Sequence, residues 1–496
     1  MDFSLYSISP ELILTAGAIL TLAAGLFSKE RSGDRRIGLL SPEVVCVATL
    51  LAALVPSVMM FTGLYTCACC QTLVFNGLLA VDGLAIFFKM IAIVSTIIVA
   101  LLAVDYFRKV DFHRGEFYAL LVFATLAINL LAASNDLIMI YLSLEFLSIT
   151  SYILVGYLKR DSRSSEAAMK YFIFGSVAAA VMLYGMTILY GLTGETNLAE
   201  IATAFRSGLI PYPLLYLAMV FALVGFGFKI AMAPFHQWAP DAYEGSPTPI
   251  TAFLSVGSKA AGFAVLVRVL TSGFAQDIVD WTPVIILLCA VTMTVGNLIA
   301  IPQTNIKRML AYSSIAQAGY ILLGIAAMGR GASLALTSVL LYLLVYLFMN
   351  LGAFAVVTIL SARIGDRISD YAGLIKRAPI AAACMAVFML SLAGIPPTAG
   401  FIGKLYLFMA ALQANDTALL WLAVIAGVNT IVAVYYYFNV VRMMFFIRSE
   451  DNSPIVSSIP VGFVIALTTA VTFIVLFYPE PFIRIAQLSA STLTGM

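Results

Sequence analysis

The stretch ASLALTSVLLYLLVYLFMNLGAFAVVTIL, from Ala332 to Leu360, contains no charged side chain. It is longer than the roughly 20 apolar residues that an α-helix needs to cross a bilayer. Similar runs recur along the 496 residues, of which 62% are hydrophobic and only 10% are charged. These runs are too long and too continuous for the alternating strands of an outer-membrane barrel. The sequence therefore predicts an all-α polytopic membrane protein.

The apolar runs predict about fourteen transmembrane helices. They cover residues 11–27, 37–60, 81–104, 116–133, 137–158, 167–190, 213–235, 248–271, 282–301, 309–328, 332–360, 379–412, 417–447 and 458–478. We predict three N-terminal helices in 1–115, two five-helix segments in 116–272 and 273–450, and a last helix in 451–496.

The basic residues predict how these helices are oriented. If the 29–36 loop is cytoplasmic and the sides alternate, eighteen of the 27 Lys and Arg residues lie in cytoplasmic loops. Three lie on the opposite side, and the other six lie within helices. Cytoplasmic loops of membrane proteins carry an excess of basic residues. We therefore expect both termini and the 62–80 loop outside, and the 361–378 loop inside.

Two parts of the chain resemble each other. SYILVGYL (151–158) matches GYILLGIA (319–326), and each is followed later by an apolar helix interrupted at proline. The interruptions lie at Pro234 and at Pro396 and Pro397. The copies are five helices apart, an odd number, so the pattern predicts an inverted repeat with a broken helix in each half. Chance likeness between apolar helices is the alternative.

Five ionisable residues lie within the predicted spans. A charge at the bilayer centre costs about 2.5–3.5 kcal/mol even on the lenient insertion scale, so such residues usually face a protein interior or a water-filled cavity. Four lysines and one carboxylate held there predict a path for protons or cations. These residues are Glu145, Lys170, Lys229, Lys259 and Lys404.

Glu145 lies about two turns inside the fifth predicted helix, and Lys229 is the candidate cation beside it. A nearby carboxylate influences how tightly a buried lysine holds its proton. Movement of Glu145 relative to Lys229 would therefore act as a switch. A static ion pair that fixes two helices is the alternative.

The remaining candidates extend this path. Lys259, halfway along the eighth predicted helix, is the expected next carrier, and Lys404 is the equivalent group after the second break. Unwound backbone at a break must be satisfied by protein or water, so water entering there would link these groups. Lys170 lies nearer the cytoplasmic end, where snorkelling also explains it. His236, beside the first break, is a possible relay or a hydrogen-bonded structural residue.

The sequence contains no phosphate-binding Gly-rich loop, Cys₄ iron–sulfur motif or haem ligand pair. We therefore predict no cofactor, no metal and no redox centre in this chain, and no nucleic-acid partner. Cys67, Cys69 and Cys70 share one predicted outer loop. They form a disulfide in an oxidising compartment or are incidental, since no second cluster accompanies them to make a metal site.

Three motifs carry a family resemblance: SLEFLSITSY (143–152), GFKIAMAPFHQWAPDAYEGSPTP (227–249) and SLAGIPPTAGFIGK (391–404). They resemble the antiporter-like subunits of respiratory complex I, and the likeness covers almost the whole chain. SKAAGF (258–263) is similar to the subunit N branch of bacterial NADH-quinone oxidoreductase. The larger sister subunits and the multi-subunit sodium/proton antiporters usually carry a histidine in that helix.

This resemblance implies one proton-translocating module in the membrane arm of a bacterial inner-membrane complex, driven by quinone reduction in other subunits. Flavin, iron–sulfur clusters and quinone would belong to partner subunits, and the chain itself would contact other membrane-arm subunits and lipid. It also implies that all five ionisable residues named above are functional. The alternatives are a subunit of a cation/proton antiporter or membrane-bound hydrogenase, and a purely structural spacer.

Overall fold

The computed structural model of the chain describes residues 5–27, 41–63, 72–107, 114–206, 212–274, 278–361, 363–449, 453–455 and 457–494. The predictions for the 29–36 loop and for Cys67, Cys69 and Cys70 lie outside these residues. Within them α-helix is the main secondary structure. One short antiparallel hairpin, β1 (Thr72–Val74) and β2 (Leu79–Val81), is a feature that the sequence did not predict.

We label the described helices in chain order. The first ten are α1 (Ser9–Phe27), α2 (Pro42–Gly63), α3 (Gly83–Tyr106), α4 (Arg114–Ala133), α5 (Leu137–Val155), α6 (Ser162–Thr193), α7 (Leu198–Arg206), α8 (Tyr212–Ile230), α9 (Trp238–Gly245) and α10 (Thr248–Gly273). The others are α11 (Thr282–Ala300), α12 (Ile306–Met328), α13 (Ala335–Ser361), α14 (Leu374–Arg377), α15 (Pro379–Ala393), α16 (Ala399–Gln413), α17 (Thr417–Phe446), α18 (Ile459–Phe477) and α19 (Glu480–Thr494).

Thirteen helices of the described part of the chain are long and apolar enough to cross a membrane. The predicted span 379–412 is instead divided into two shorter apolar helices, α15 and α16, separated by residues 394–398. These two helices together supply the fourteenth span. The prediction of an all-α polytopic membrane protein with about fourteen spans is confirmed.

Acidic and amide side chains determine where several of the helices begin. An Asx side chain before the helix accepts a hydrogen bond from a backbone N–H of the first turn, which would otherwise have no intrahelical partner. In an apolar environment such a cap matters more, because water is scarce there. The helices capped in this way are α3 by Asp82, α5 by Asp136, α6 by Asp161, α12 by Asn305 and α17 by Asp416.

The chain forms two compact units. Unit 1 contains Met1–Lys229, Gly257–Val279 and Leu488–Met496, and unit 2 contains Ile230–Val256 and Asp280–Gln487. In unit 1, helices α1 to α4 pack against one another, and the second half of α10 packs on α3 and α4. In unit 2, α11 packs on α12, and α13 contacts both α16 and α18.

A fully buried ion pair fastens α10 to α3 within unit 1. The guanidinium of Arg268 donates to both carboxylate oxygens of Asp82, at 2.8 and 2.9 Å, and to the carbonyl of Ala132 on α4 at 3.1 Å. Removing one member of such a pair leaves a buried charge uncompensated, which costs about 3–5 kcal/mol. The pair therefore fixes the helix that carries Lys259.

Candidate functional site

Lys229 lies in the last turn of α8 and is completely buried, with 0% of its surface exposed. Its ammonium donates a hydrogen bond to the hydroxyl of Ser148 on α5, at 3.2 Å. That hydroxyl itself donates to the carbonyl of Leu144 at 2.8 Å, so its lone pairs are available to the lysine. Ser148 follows Glu145 by three residues, and residues at this spacing share one helix face. The structure thus places Lys229 against the face of α5 that carries Glu145.

Glu145 is half-buried, and its Oε1 is buried with no hydrogen-bond partner among the described residues. Its carboxylate and the ammonium of Lys229 interact electrostatically, but the nearest recorded contact of the ammonium is the Ser148 hydroxyl. The predicted neighbours are therefore brought together without a direct ion pair. A carboxylate with an unused oxygen close to a lysine can gain or lose that contact through a small movement.

The first predicted break is present. Helix α8 ends at Ile230, Ala231 adopts a positive φ of 57°, and the chain remains non-helical until α9 begins at Trp238. Pro234 and the half-buried His236 both lie in this linker. Within unit 2, the amide of Ala233 donates to the hydroxyl of Thr292 at 3.1 Å. A side-chain hydroxyl thus satisfies one of the backbone groups that the break frees.

Lys259 is 2% exposed and directly follows a π-helical turn, Leu254–Ser258, within α10. A π turn inserts one extra residue into an α-helix and is frequently found at functional sites. The hydroxyl of the preceding Ser258 is buried and has no partner among the described residues. The sequence predicted the buried lysine but gave no sign of the π turn.

Lys404 lies in the second turn of α16 and is 4% exposed. Its ammonium donates to the carbonyl of Ala393, the last residue of α15, at 3.0 Å. It also lies 4.3 Å from the centre of the Tyr320 ring, which gives a cation–π contact. Unlike Lys229, it has no carboxylate partner among the described residues.

The second predicted break is also present, and Pro396 and Pro397 lie between α15 and α16. Gly394 follows α15 with a φ of 80°, a left-handed conformation that favours glycine. A Cβ atom at this position would lie 2.7 Å from the Cδ atom of Lys404. Glycine therefore permits both the turn and the close approach of the lysine.

Lys170 differs from the other three lysines. Its side chain is 42% exposed, and its ammonium lies 2.8 Å from the carboxylate of Glu166, one turn earlier on α6. Its recorded ion pair is thus with an exposed neighbour on its own helix.

A network of neutral polar side chains surrounds Lys404, and sequence reasoning missed it. Helix α12 places Ser313, Gln317 and Tyr320 at spacings of four and three residues, which forms one face. Gln317 contacts the hydroxyls of Tyr342 and Tyr437 at 2.5 and 3.1 Å. The sequence feature that could have revealed this network is the helical spacing of polar residues within an apolar span.

Comparison with known proteins identifies the family. A family model described as NADH:quinone oxidoreductase/Mrp antiporter, transmembrane, matches residues 134–430. NADH-quinone oxidoreductase subunit N of Heliobacterium modesticaldum is 43% identical over 495 residues, which cover 99% of this chain and 100% of that protein. The chain belongs to the NADH-quinone oxidoreductase subunit N family. The predicted resemblance is confirmed.

Solved structures agree with this family assignment. A chain of respiratory complex I from Thermus thermophilus with bound aureothin is 31% identical, with a TM-score of 0.79 and coverage of 96% of this chain and 99% of that one. A chain of an archaeal membrane-bound sulfane sulfur reductase superimposes with a TM-score of 0.87 at 22% identity, covering 99% and 98%. The second likeness shows the fold alone. This chain thus shares its helical architecture with a chain of another respiratory membrane complex.

Proposed function

We propose that this chain is a proton-translocating membrane-arm subunit of an NADH:quinone oxidoreductase. A relative named NADH-quinone oxidoreductase subunit N aligns with 99% of this chain and along 100% of its own length. The observation that carries the proposal is Lys229, a completely buried lysine whose ammonium lies against the helix face of Glu145. Such a residue is costly in a membrane protein, and intramembrane ionisable groups usually mark ion or proton pathways.

The proposed path contains Glu145, Lys229 and Lys259 in unit 1 and Lys404 in unit 2. Each lysine would accept and release a proton in turn, with water at the helix breaks as the link between them. Movement of Glu145 toward the ammonium of Lys229 would strengthen the lysine's hold on its proton, and movement away would weaken it. Ser148 would hold the ammonium in place during this exchange. His236, in the linker after α8, remains a possible relay.

The driving force in this proposal comes from other subunits. Quinone reduction supplies the free energy, and flavin, iron–sulfur clusters and quinone are bound by partner chains. The subunit itself contributes the buried charges and the two helix breaks. Its partners are the other membrane-arm subunits and lipid.

We also propose an orientation in the bacterial inner membrane, with both termini outside. The distribution of the loop Lys and Arg residues supports it. Cysteine-accessibility labelling in intact cells should find the 361–378 loop inside. Labelling of that loop from outside would overturn the orientation.

Segments 116–272 and 273–450 are proposed to be inverted repeats. The breaks at Pro234 and Pro396 support this proposal, because each segment contains one. In an experimental structure of the assembled complex, the helices of one segment should superimpose on those of the other after a rotation of about 180° around an axis that lies in the membrane plane. Two segments that do not superimpose in this way would contradict it.

The proposed function is tested with Lys259→Ala and Lys404→Ala in the assembled complex. Each variant should lose most coupled proton pumping in membrane vesicles while assembly on a native gel is retained. Lys159→Ala is the matched control, because Lys159 is an exposed lysine in the loop before α6. Full pumping in both buried-lysine variants would contradict the proposed path.

A further inference from the structure

The C-terminal end of α15 is buried in unit 2, and every carbonyl there has a partner. The last four carbonyls of an α-helix have no intrahelical donor, and an unsatisfied one is costly in an apolar environment. Main-chain amides supply the donors for the first two of these carbonyls, those of Leu390 and Ser391. The amides of Gly394 and Ile395 donate to Leu390, both at 3.1 Å, and the Gly394 amide also donates to Ser391 at 3.0 Å.

Side chains supply the other two donors. The amide nitrogen of Gln317 donates to the carbonyl of Leu392 at 2.9 Å. The ammonium of Lys404 donates to the carbonyl of Ala393 at 3.0 Å. A neutral amide and a titratable amine therefore share the end of the same broken helix, on consecutive carbonyls.

The side-chain amide of Gln317 is held in a fixed orientation. Its Oε1 accepts a hydrogen bond from the hydroxyl of Tyr342 at 2.5 Å, and its nitrogen also donates to the hydroxyl of Tyr437 at 3.1 Å. The Tyr342 ring packs on α16 beside the lysine, since a Cβ atom on Gly403 would lie 2.7 Å from it. Hydrogen bonds to α13 and α17 thus determine where Gln317 places the end of α15.

We propose that Gln317 is a positioning residue for Lys404: it holds the Leu392 carbonyl so that the neighbouring Ala393 carbonyl points at the lysine ammonium. This inference rests on the proposed function of Lys404 in proton translocation. A helix C-terminus carries about half a negative charge, and cations are stabilised there. The contribution of that partial charge falls steeply with distance, so a small displacement of α15 would weaken the stabilisation of the ammonium.

The two side-chain hydrogen bonds to the end of α15 respond differently when Lys404 gains or loses a proton. The bond from Gln317 does not change when Lys404 gains or loses a proton, because the amide is neutral in both states. The attraction between Lys404 and the Ala393 carbonyl is strong only while the amine is charged. Gln317 therefore keeps the break in place during each proton transfer.

The experiment measures proton pumping as a function of pH in the assembled complex carrying Gln317→Leu or Gln317→Glu. In Gln317→Leu, the loosened helix end should lower the pH of half-maximal pumping by about one unit. In Gln317→Glu, an added carboxylate beside the ammonium should raise it by about one unit. Opposite shifts distinguish positioning from a merely structural role, which would reduce assembly in both variants. If Gln317→Leu does not assemble, Gln317→Met, which also lacks the donor to the Leu392 carbonyl, replaces it and should shift the pH of half-maximal pumping in the same direction.

The titratable side chains recorded around Lys404 are tyrosines: Tyr320 on α12, Tyr342 on α13 and Tyr437 on α17. Helix α18, which packs on α16, carries no titratable residue. Gln413→Leu is the matched control, because Gln413 lies on the same helix as Lys404 but is exposed and contacts Ser333. It should leave the pH profile unchanged.

The outcomes separate this inference from the proposed function. Unchanged pH profiles in both Gln317 variants, or shifts in the same direction, would overturn the positioning role. If Lys404→Ala retains full pumping, the proposed function of Lys404 fails, whatever the Gln317 variants show. Loss of pumping in Lys404→Ala with unchanged Gln317 profiles would remove this inference alone.

Discussion

Lys229 and Lys404 are both buried and both border a broken helix, yet different groups stabilise them. Lys229 contacts a serine hydroxyl and interacts with the carboxylate of Glu145. Lys404 contacts a backbone carbonyl and the face of a tyrosine ring, and no described carboxylate pairs with it. We therefore expect the first lysine to respond to the movement of an acid and the second to the movement of a helix end.

The two arrangements differ in strength. Two full charges about 4 Å apart interact with about 4 kcal/mol at an effective dielectric constant of 20, which is an upper limit for Glu145 and Lys229 because they form no direct ion pair. A cation at a helix C-terminus gains up to about 2 kcal/mol in a partly buried geometry. Loss of Glu145 should therefore disturb Lys229 more than loss of any one contact disturbs Lys404.

The largest expected effect concerns the unit 1 pair. Lys229→Ala removes the titrating group, and Glu145→Ala leaves the lysine without its counter-charge. Each should remove most coupled pumping, and the double variant should be little worse than either, because residues that act as a unit are non-additive. Proton pumping and NADH oxidation in membrane vesicles measure this, and we expect oxidation to fall as well.

Lys229→Arg sharpens the same test. Arginine keeps the positive charge but releases no proton at accessible pH, so it should not restore pumping. Assembly checked on a native gel should survive in all of these variants. Full pumping in Lys229→Arg would leave Glu145 and Lys229 as a structural pair.

A smaller effect is expected at Tyr320 in unit 2. Tyr320→Leu removes the ring beneath the Lys404 ammonium, and a desolvated cation–π contact contributes about 2 kcal/mol. Pumping should fall severalfold. Tyr320→Phe is the matched control, because it keeps the ring and loses only the hydroxyl that accepts from Asn297 and Thr430. Equal pumping in the two variants would show that the ring does not stabilise the lysine.

The sequence predicted the features that depend on residue type alone. Proline in a helix interior removes a backbone hydrogen bond and kinks or breaks the helix, so the breaks near Pro234 and Pro396 could be expected. Lys229, Lys259 and Lys404, which lie in apolar runs, could likewise be recognised as buried. The contact from Lys229 to Ser148 could not, because it depends on how α5 and α8 are rotated about their axes.

The network around Lys404 was overlooked for a related reason. Gln317 and Tyr342 are uncharged, and such residues are common in apolar helices, so only their contacts show a role. Lys170 is the opposite case, because its charge is evident from the sequence but its exposure is not. Helix α6 is 32 residues long, more than a bilayer requires, and Lys170 lies two turns from its start on an exposed face.

The smallest expected effect follows from that position. Lys170→Ala removes an exposed pair with Glu166, and such pairs on a helix contribute about 0.3–0.5 kcal/mol. Pumping should change less than about twofold, because an energy of that size corresponds to a factor of about two. The measurement is the initial rate of proton pumping in membrane vesicles, with Glu166→Ala as the matched control for loss of the pair. A large loss of pumping in Lys170→Ala alone would place an exposed lysine in the path. Burial would then no longer distinguish the lysines that carry protons from those that do not.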